Sequence, residues 1–201
     1  MRKNYKEILF LTSRLPISGF SPALCIRRFK ITDLETFFHY QKNELIHQNQ
    51  GSSPVATLDE ARQRLLNWML PTNSDAPVFA VELDGKLVGG CSLILNIRHE
   101  SVEIGYEIDP LHWGRGIGTA VASRLVEFCF MELGANRVEG ICWDQNKASG
   151  RVLEKAGLLF EGLHKEKVKV KDRFWDLHYY GLTRRKFMEV EEDGNEENVS
   201  G

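Results

Sequence analysis

What the chain lacks narrows it first. Its 201 residues contain four cysteines, Cys25, Cys91, Cys129 and Cys142, no two closer than 13 positions. There is no Cys-x-x-Cys pair, and the six histidines show no ligand spacing with the cysteines or with one another. A zinc site or a disulfide framework is therefore not expected, and reduced thiols in a cytoplasmic setting are. No long apolar run is present either. The longest uncharged N-terminal stretch, Leu15–Ile26, is interrupted by two prolines, a glycine and two serines, whereas a membrane span needs about 20 apolar residues. Arg2, Lys3 and Lys6 precede only the short run Ile8–Leu11, and Glu7 intervenes, so a signal peptide is not read here. Net charge is only −2, and six acids with no base fall in residues 187–201, leaving the remainder mildly basic. That is too little to announce a nucleic-acid protein, yet it suits a pocket for an anion.

What is there is ordinary for a globular chain: 42% hydrophobic and 27% charged residues, enough for one domain and a tail. Residues 1–23 have no clear periodicity and 187–201 read as a disordered acidic tail, so the domain is expected over 24–186. Leu24–Phe29 reads as a strand. Thr32 with Glu35, and Thr57 with Glu60, each form a capping box that opens a helix. Asp84-Gly85 between Val78–Leu83 and Lys86–Ile97 is a hairpin signal, and Ser101–Ile108 continues the meander. Ile117–Leu133 carries charge only at Arg124, Glu127 and Glu132, which predicts a mostly buried helix. Arg137–Trp143 follows as a strand and Lys147–Ala156 as a helix, then a hairpin of Leu158–Lys171 and Phe174–Thr183. Strand, buried helix, strand implies one parallel crossover between Ser101–Ile108 and Arg137–Trp143. The expectation is one mixed α/β domain with a mostly antiparallel sheet of about seven strands, one parallel pair and about four helices.

The informative stretch is Trp113-Gly114-Arg115-Gly116-Ile117-Gly118-Thr119, between a strand end and the buried helix. Alternating glycines let backbone amides converge without side-chain interference, and the helix behind adds unpaired N–H groups. Such a socket takes a phosphate or pyrophosphate; the bland alternative is a tight strand-to-helix turn. A Walker loop is absent, and glycines at 114, 116 and 118 do not fit the dinucleotide spacing G-x-G-x-x-G.

This loop resembles the acetyl-CoA pyrophosphate loop of the GNAT acetyltransferases, Gln/Arg-x-x-Gly-x-Gly/Ala. Trp113 stands at the first position, as in the RimJ/RimL-type branch, and Gly116 and Gly118 match the small ones. Glu103-Ile104-Gly105-Tyr106, Asn146-Lys147-Ala148-Ser149 with Val152–Gly157, and Phe174-Trp175-Asp176 with Tyr180-Gly181-Leu182 resemble the same branch in order. The resemblance implies that the parallel pair splays and that acetyl-CoA is the co-substrate, with no metal. Backbone near Tyr106 and Ile108, the loop residues Trp113, Gly114, Arg115, Gly116, Ile117, Gly118 and Thr119, and Asn146 would then hold acetyl-CoA. It further implies transfer of acetyl to a primary amine, foremost a protein N-terminal α-amine. A polyamine or aminoglycoside acceptor, or a noncatalytic acyl-CoA-binding module, is the alternative. A membrane or nucleic-acid partner is not expected, and the chain would act as a monomer or homodimer.

Two residues are candidates for catalysis. Glu103 is the first choice for general base. It shares a strand face with Gly105 and Glu107, opposite Val102, Ile104, Tyr106 and Ile108. The competing reading is that both glutamates only solvate an exposed face. Ser149 is the candidate partner of the leaving sulfur, because the position where other GNAT branches place a tyrosine acid is Leu153 here. Its competing reading is a helix-end hydrogen bond, and Asn146 could be only an N-cap. Lys165, Lys167, Lys169 and Lys171 fall at period two and read as a solvated strand rather than an RNA stripe. His112 reads as a lone surface histidine, Cys142 as a buried hydrophobe, and Trp143 and Trp175 as core.

Overall fold

The computed structural model describes residues 14–20, 23–70 and 76–190. Eight strands form one sheet in the order β1-β2-β3-β4-β5-β6-β8-β7. In chain order they are β1 (Arg14–Ile17), β2 (Leu24–Arg27), β3 (Val78–Leu83), β4 (Lys86–Asn96), β5 (Ser101–Ile108), β6 (Arg137–Trp143), β7 (Leu159–Val170) and β8 (Arg173–Thr183). Every neighbouring pair is antiparallel except β5 with β6. The helices are α1 (Leu34–Gln41), the one-turn α2 (Glu44–His47), α3 (Leu58–Met69), α4 (Ile117–Met131) and α5 (Lys147–Lys155). No helix of the described residues is long and apolar enough to cross a membrane.

The strand period places helices on both faces. Along β6, Val138, Gly140 and Cys142 are buried while Arg137, Glu139, Ile141 and Trp143 are only half-buried. The first face meets α4 and α5 in a core that includes Ile26, Leu93, Ile104, Val121, Leu125 and Leu153. On the other face, Phe29, Phe37, Tyr40, Leu65 and Leu87 pack between the sheet and α1 and α3. Phe37 and Trp68 meet edge to face at 5.1 Å, as aromatic quadrupoles favour.

Several expectations shift. The expected count of about seven strands becomes eight, because β1 lies in the segment expected to precede the domain. Its Leu15 contributes to the core and its Arg14 binds Glu82 at 2.6 Å. Four residues are too few to show a hydrophobic period, so β1 is defined only by pairing with β2. At the other end residues 184–190 are helical, and Phe187 stacks on Phe130 at 4.8 Å, so the fold passes the expected limit at 186. The remainder of the expected acidic tail, 191–201, lies outside the described residues, as do residues 1–13 of the expected extension. Thr32 does not open α1: a 3-10 turn at Ile31–Asp33 does, and Asp33 takes the Lys30 amide at 2.8 Å. Thr57 does cap α3, its Oγ1 accepting from the Glu60 amide at 3.2 Å, but the Glu60 carboxylate accepts from the Ala56 amide at 2.7 Å instead of that of Thr57, so the reciprocal half of the box does not form. The lysine period in β7 is broken at Glu166, whose φ of +50° marks a bulge where the register with β8 shifts.

Candidate active site

The site begins where a ladder stops. β5 and β6 pair from Ser101↔Arg137 to Ile104↔Gly140 and no further. Beyond that point β5 stays with β4, ending at Gly89↔Ile108, and β6 stays with β8, ending at Trp143↔Leu177. The two strands therefore diverge, and the peptide edges of 105–108 and 141–143 face each other without a shared ladder. Buried backbone of this kind needs partners, and an extended amide-bearing ligand supplies them. A cleft of about 1040 Å³ fills the divergence, running from Glu103 at its apex to the glycine loop at its mouth.

At the mouth, Gly114 and Gly116 have φ of +73° and +76°, and a Cβ on either would meet nothing within 4 Å. Gly116 is the N-cap of α4, with no side chain capping the helix. The first helical bond is that of the Ala120 amide to the Gly116 carbonyl, so the preceding amides of Ile117, Gly118 and Thr119 have no helical acceptor. Open space in front, uncapped amides and the nearby Arg115 guanidinium fit an anionic diphosphate. Arg115 Nη1 lies 3.0 Å from His112 Nδ1, so His112 is tied to the loop and is not a lone surface residue. Ile117 is buried although it borders the cleft. Trp113 donates its indole N–H to the Ile108 carbonyl at 2.7 Å, clasping the loop to the end of β5.

Along the α5 side, Asn146 Oδ1 accepts from the Ser149 amide at 3.1 Å, which is an N-cap bond. The Ser149 hydroxyl is 2.9 Å from the Tyr106 hydroxyl, which also lies 3.1 Å from the Ser149 carbonyl oxygen. Burial raises the Tyr106 phenol well above the ordinary tyrosine range, more than the Ser149 hydrogen bond lowers it. Leu153 is buried in the hollow above Gly140, where a Cβ would come within 2.5 Å of it.

Glu103 and Glu139 are register partners across the parallel pair, at the apex. Burial, and then the Glu139 charge, raise the Glu103 carboxyl above its ordinary value. Glu139 itself is paired with Arg137 at 2.9 Å. Glu107 is not a solvating residue, contrary to the competing reading. It accepts from Tyr40 Oη at 3.1 Å and from Gln41 Nε2 at 2.5 Å, and burial raises its carboxyl despite these donors. Gln41 in turn accepts from Arg64 Nη1 at 2.7 Å. Sequence reading missed Tyr40, Gln41 and Gln50, which border Glu107 from remote segments and carry no local motif.

The polar loop after α2 crosses toward the opposite wall. Gln145 Nε2 donates to Asn49 Oδ1 at 3.1 Å, and Gly51, at φ +68°, fits against Trp143 and Val170. Trp143 lines the cleft and meets Trp175 at 4.7 Å with the rings tilted by 41°; both are half-buried and lie outside the core expected for them. Cys142 is buried and its thiol is pushed up to about 11, chiefly by desolvation, which keeps it an unreactive thiol. Among the described residues no cluster of three or more His, Cys, Asp or Glu could hold a metal ion.

Residues 23–159 match the family described as the acetyltransferase (GNAT) domain. The chain belongs to the GNAT acetyltransferases. A Bacillus subtilis relative named as a probable N-acetyltransferase, YjcK, is 31% identical over 76% of this chain and 89% of its own. Two solved structures share the fold. RimL, titled a ribosomal L7/L12 α-N-protein acetyltransferase in complex with coenzyme A, is 18% identical over 85% of this chain and 97% of its own, with a TM-score of 0.74. A spermidine N-acetyltransferase from Vibrio cholerae, in complex with CoA and spermine, is 23% identical over 82% and 98%, with a TM-score of 0.70. This GNAT chain is thus an acetyl-CoA-dependent acetyltransferase with a mixed α/β fold.

Proposed function

We propose that the protein transfers an acetyl group from acetyl-CoA to the α-amine of a protein N-terminus, as a RimJ/RimL-like enzyme of the cytoplasm. The observation that carries the transferase chemistry is the divergence of β5 from β6 with the positive-φ glycine loop at its mouth. Acetyl-CoA supplies the activated thioester. In this reading the loop amides from Gly114 to Thr119 and the Arg115 guanidinium hold its diphosphate. The open edges of β5 around Tyr106–Ile108 pair with the pantetheine arm, and Asn146 closes on it from α5. A preorganised β5 amide at the developing oxyanion is worth roughly 3–4 kcal/mol. Ser149 donates a hydrogen bond to the departing sulfur.

Glu103, at the apex, takes the proton that the acceptor ammonium must lose before its nitrogen attacks. Its raised affinity for protons suits it to that task. The acceptor class follows from cost. An α-amine with a pKa of about 7.7–8.0 is already partly neutral in the cell, whereas a lysine near 10.4 carries a penalty of roughly 4 kcal/mol. The RimL likeness points the same way. One feature favours a second reading: Glu103 lines the cleft at its apex and its carboxylate also suits a polyamine. The deciding experiment is thiol release from acetyl-CoA against a panel of N-terminal peptides, spermidine and lysine-like amines. Peptide N-termini should give the highest kcat/KM; preference for spermidine would transfer the assignment to the second reading.

A further inference from the structure

Position 153 holds leucine, so α5 presents no phenol to the leaving sulfur, yet a phenol is present one layer beneath. Tyr106 projects from β5 toward the first turn of α5, and its hydroxyl sits 2.9 Å from Ser149 Oγ and 3.1 Å from the Ser149 carbonyl oxygen. Resting on the proposed transferase reading, we propose that Tyr106 is a positioning residue that acts on the leaving thiolate through Ser149. The two hydroxyls form a switchable pair with three atoms to satisfy. In the resting protein Tyr106 donates to the Ser149 carbonyl, and the Ser149 hydroxyl donates to the Tyr106 oxygen. As negative charge grows on sulfur, the Ser149 proton turns to it, and Tyr106 rotates to donate to the Ser149 oxygen left behind. Donation into a hydroxyl strengthens that hydroxyl as a donor in turn.

The chemistry balances without ionising either residue. The amine nitrogen forms its bond to the acetyl carbon and the carbon–sulfur bond breaks with its electron pair on sulfur. The ammonium proton has passed by way of Glu103 to solvent before attack, the second proton that the new amide nitrogen must shed goes to the freed Glu103 carboxylate, and the thiolate departs hydrogen-bonded. Burial holds the phenol protonated, so Tyr106 remains a donor throughout. The surroundings keep the pair in place. Tyr106 packs against the main core from its half-buried position, and Gly150 lies over the neighbouring Tyr180 hydroxyl, which a Cβ there would meet at 2.7 Å. A side chain at position 150 would crowd the Tyr180 hydroxyl directly beside Ser149.

The test reads the sulfur itself. Ultraviolet thiolate absorbance of bound CoA, referenced to bound desulfo-CoA, is titrated in the wild type, Tyr106→Phe, Ser149→Ala and the double variant, alongside kcat and KM with a peptide acceptor. The CoA thiol should ionise at lower pH when bound to the wild type than when free. Ser149→Ala should raise that titration by about one pH unit and lower kcat about 10- to 100-fold, the range for a hydrogen bond to charge. Tyr106→Phe should raise it less and lower kcat about 5- to 10-fold with KM for acetyl-CoA unchanged. The double variant should match Ser149→Ala in both readouts. Additive losses, or a Tyr106→Phe variant with wild-type thiol titration, would overturn the proposal even if peptides are acetylated normally. Failure of CoA to bind the wild type would instead overturn the transferase reading beneath it.

Discussion

Gly116 and Gly118 match the same family pattern but answer to different physics. Gly116 has φ of +76°, a conformation that costs an L-residue roughly 1–2 kcal/mol and more when β-branched. Gly118 has ordinary helical backbone, and a Cβ there would touch Val152 at 3.7 Å and Ile108 at 3.9 Å, which is normal contact. Gly116→Val should therefore lower stability by about 1–2 kcal/mol and weaken acetyl-CoA at least 10-fold by calorimetry, an effect tied to its place before the loop amides. Gly118→Ala should fold with unchanged stability. Equal stability of the two variants would show that the loop is not held in its left-handed turn. Glu103 is a second case where residue environment sets behaviour. Its folded pKa is raised, so above the unfolded pKa the folded state binds more protons, and charging it costs stability as pH rises. Glu103→Gln should raise the melting temperature at neutral pH, with the gain vanishing below about pH 4. The same variant should lose turnover most below the acceptor pKa and recover as pH rises. A pH-independent defect would leave Glu103 outside the proton path.

At the scale of elements, the divergence of β5 and β6 depends on how α5 sits on the sheet. Gly140 is the last residue of the parallel ladder on β6, and Leu153 fills the space where its side chain would be. Gly140→Ala places a methyl 2.5 Å from a Leu153 methyl, so the buried Leu153 side chain must shift in its hollow and the seat of α5 is strained. Overpacking of this kind costs about 1–3 kcal/mol. The expected result is a denaturant midpoint lowered to that extent, together with a fall in kcat larger than the change in acetyl-CoA affinity. Gly140→Ala with Leu153→Ala should restore much of both. If the single variant is as stable and active as the wild type, the hollow is not what seats α5.

For the whole molecule, the buried charges decide how the fold meets acid. Arg27 is buried between Asp33, with both bonds at 2.8 Å, and Glu82 at 2.5 Å, and Arg14 reaches the same Glu82. The network ties β1, β2, β3 and the entry to α1 together. Burial works to raise the Glu82 carboxyl, but Arg27 and Arg14 outweigh it and the net shift is downward from 4.5. Below that value the unfolded chain takes up a proton that the folded protein does not, so stability falls as pH falls through the folded pKa. Urea midpoints should hold steady above about pH 5 and drop below about pH 4, and Glu82→Gln should lack that part of the drop. At neutral pH the same substitution should cost about 3–5 kcal/mol, because Arg27 is left buried with half its partners. An unchanged acid limb would place acid sensitivity elsewhere.

The local pattern by itself determined most elements and the mouth of the site. Alternating residues in β5, the Asp84-Gly85 turn, the buried circumference of α4 and the glycine loop are short-range features, and each formed where the sequence put it. Capping by Asn146 was equally legible, since an N-cap bond spans only three residues. Tertiary structure alone decided what lies between distant segments. β1 exists because Leu15 and Arg14 find β2 and Glu82, a pairing that four residues cannot announce. Glu107 is half-buried and hydrogen-bonded because Tyr40 and Gln41 arrive from a helix more than sixty positions away. The Tyr106–Ser149 contact joins residues 43 positions apart, and the divergence of β5 from β6 is absent from either strand taken alone. Periodicity fixes which face a side chain takes, but only packing of the whole chain fixes what that face meets.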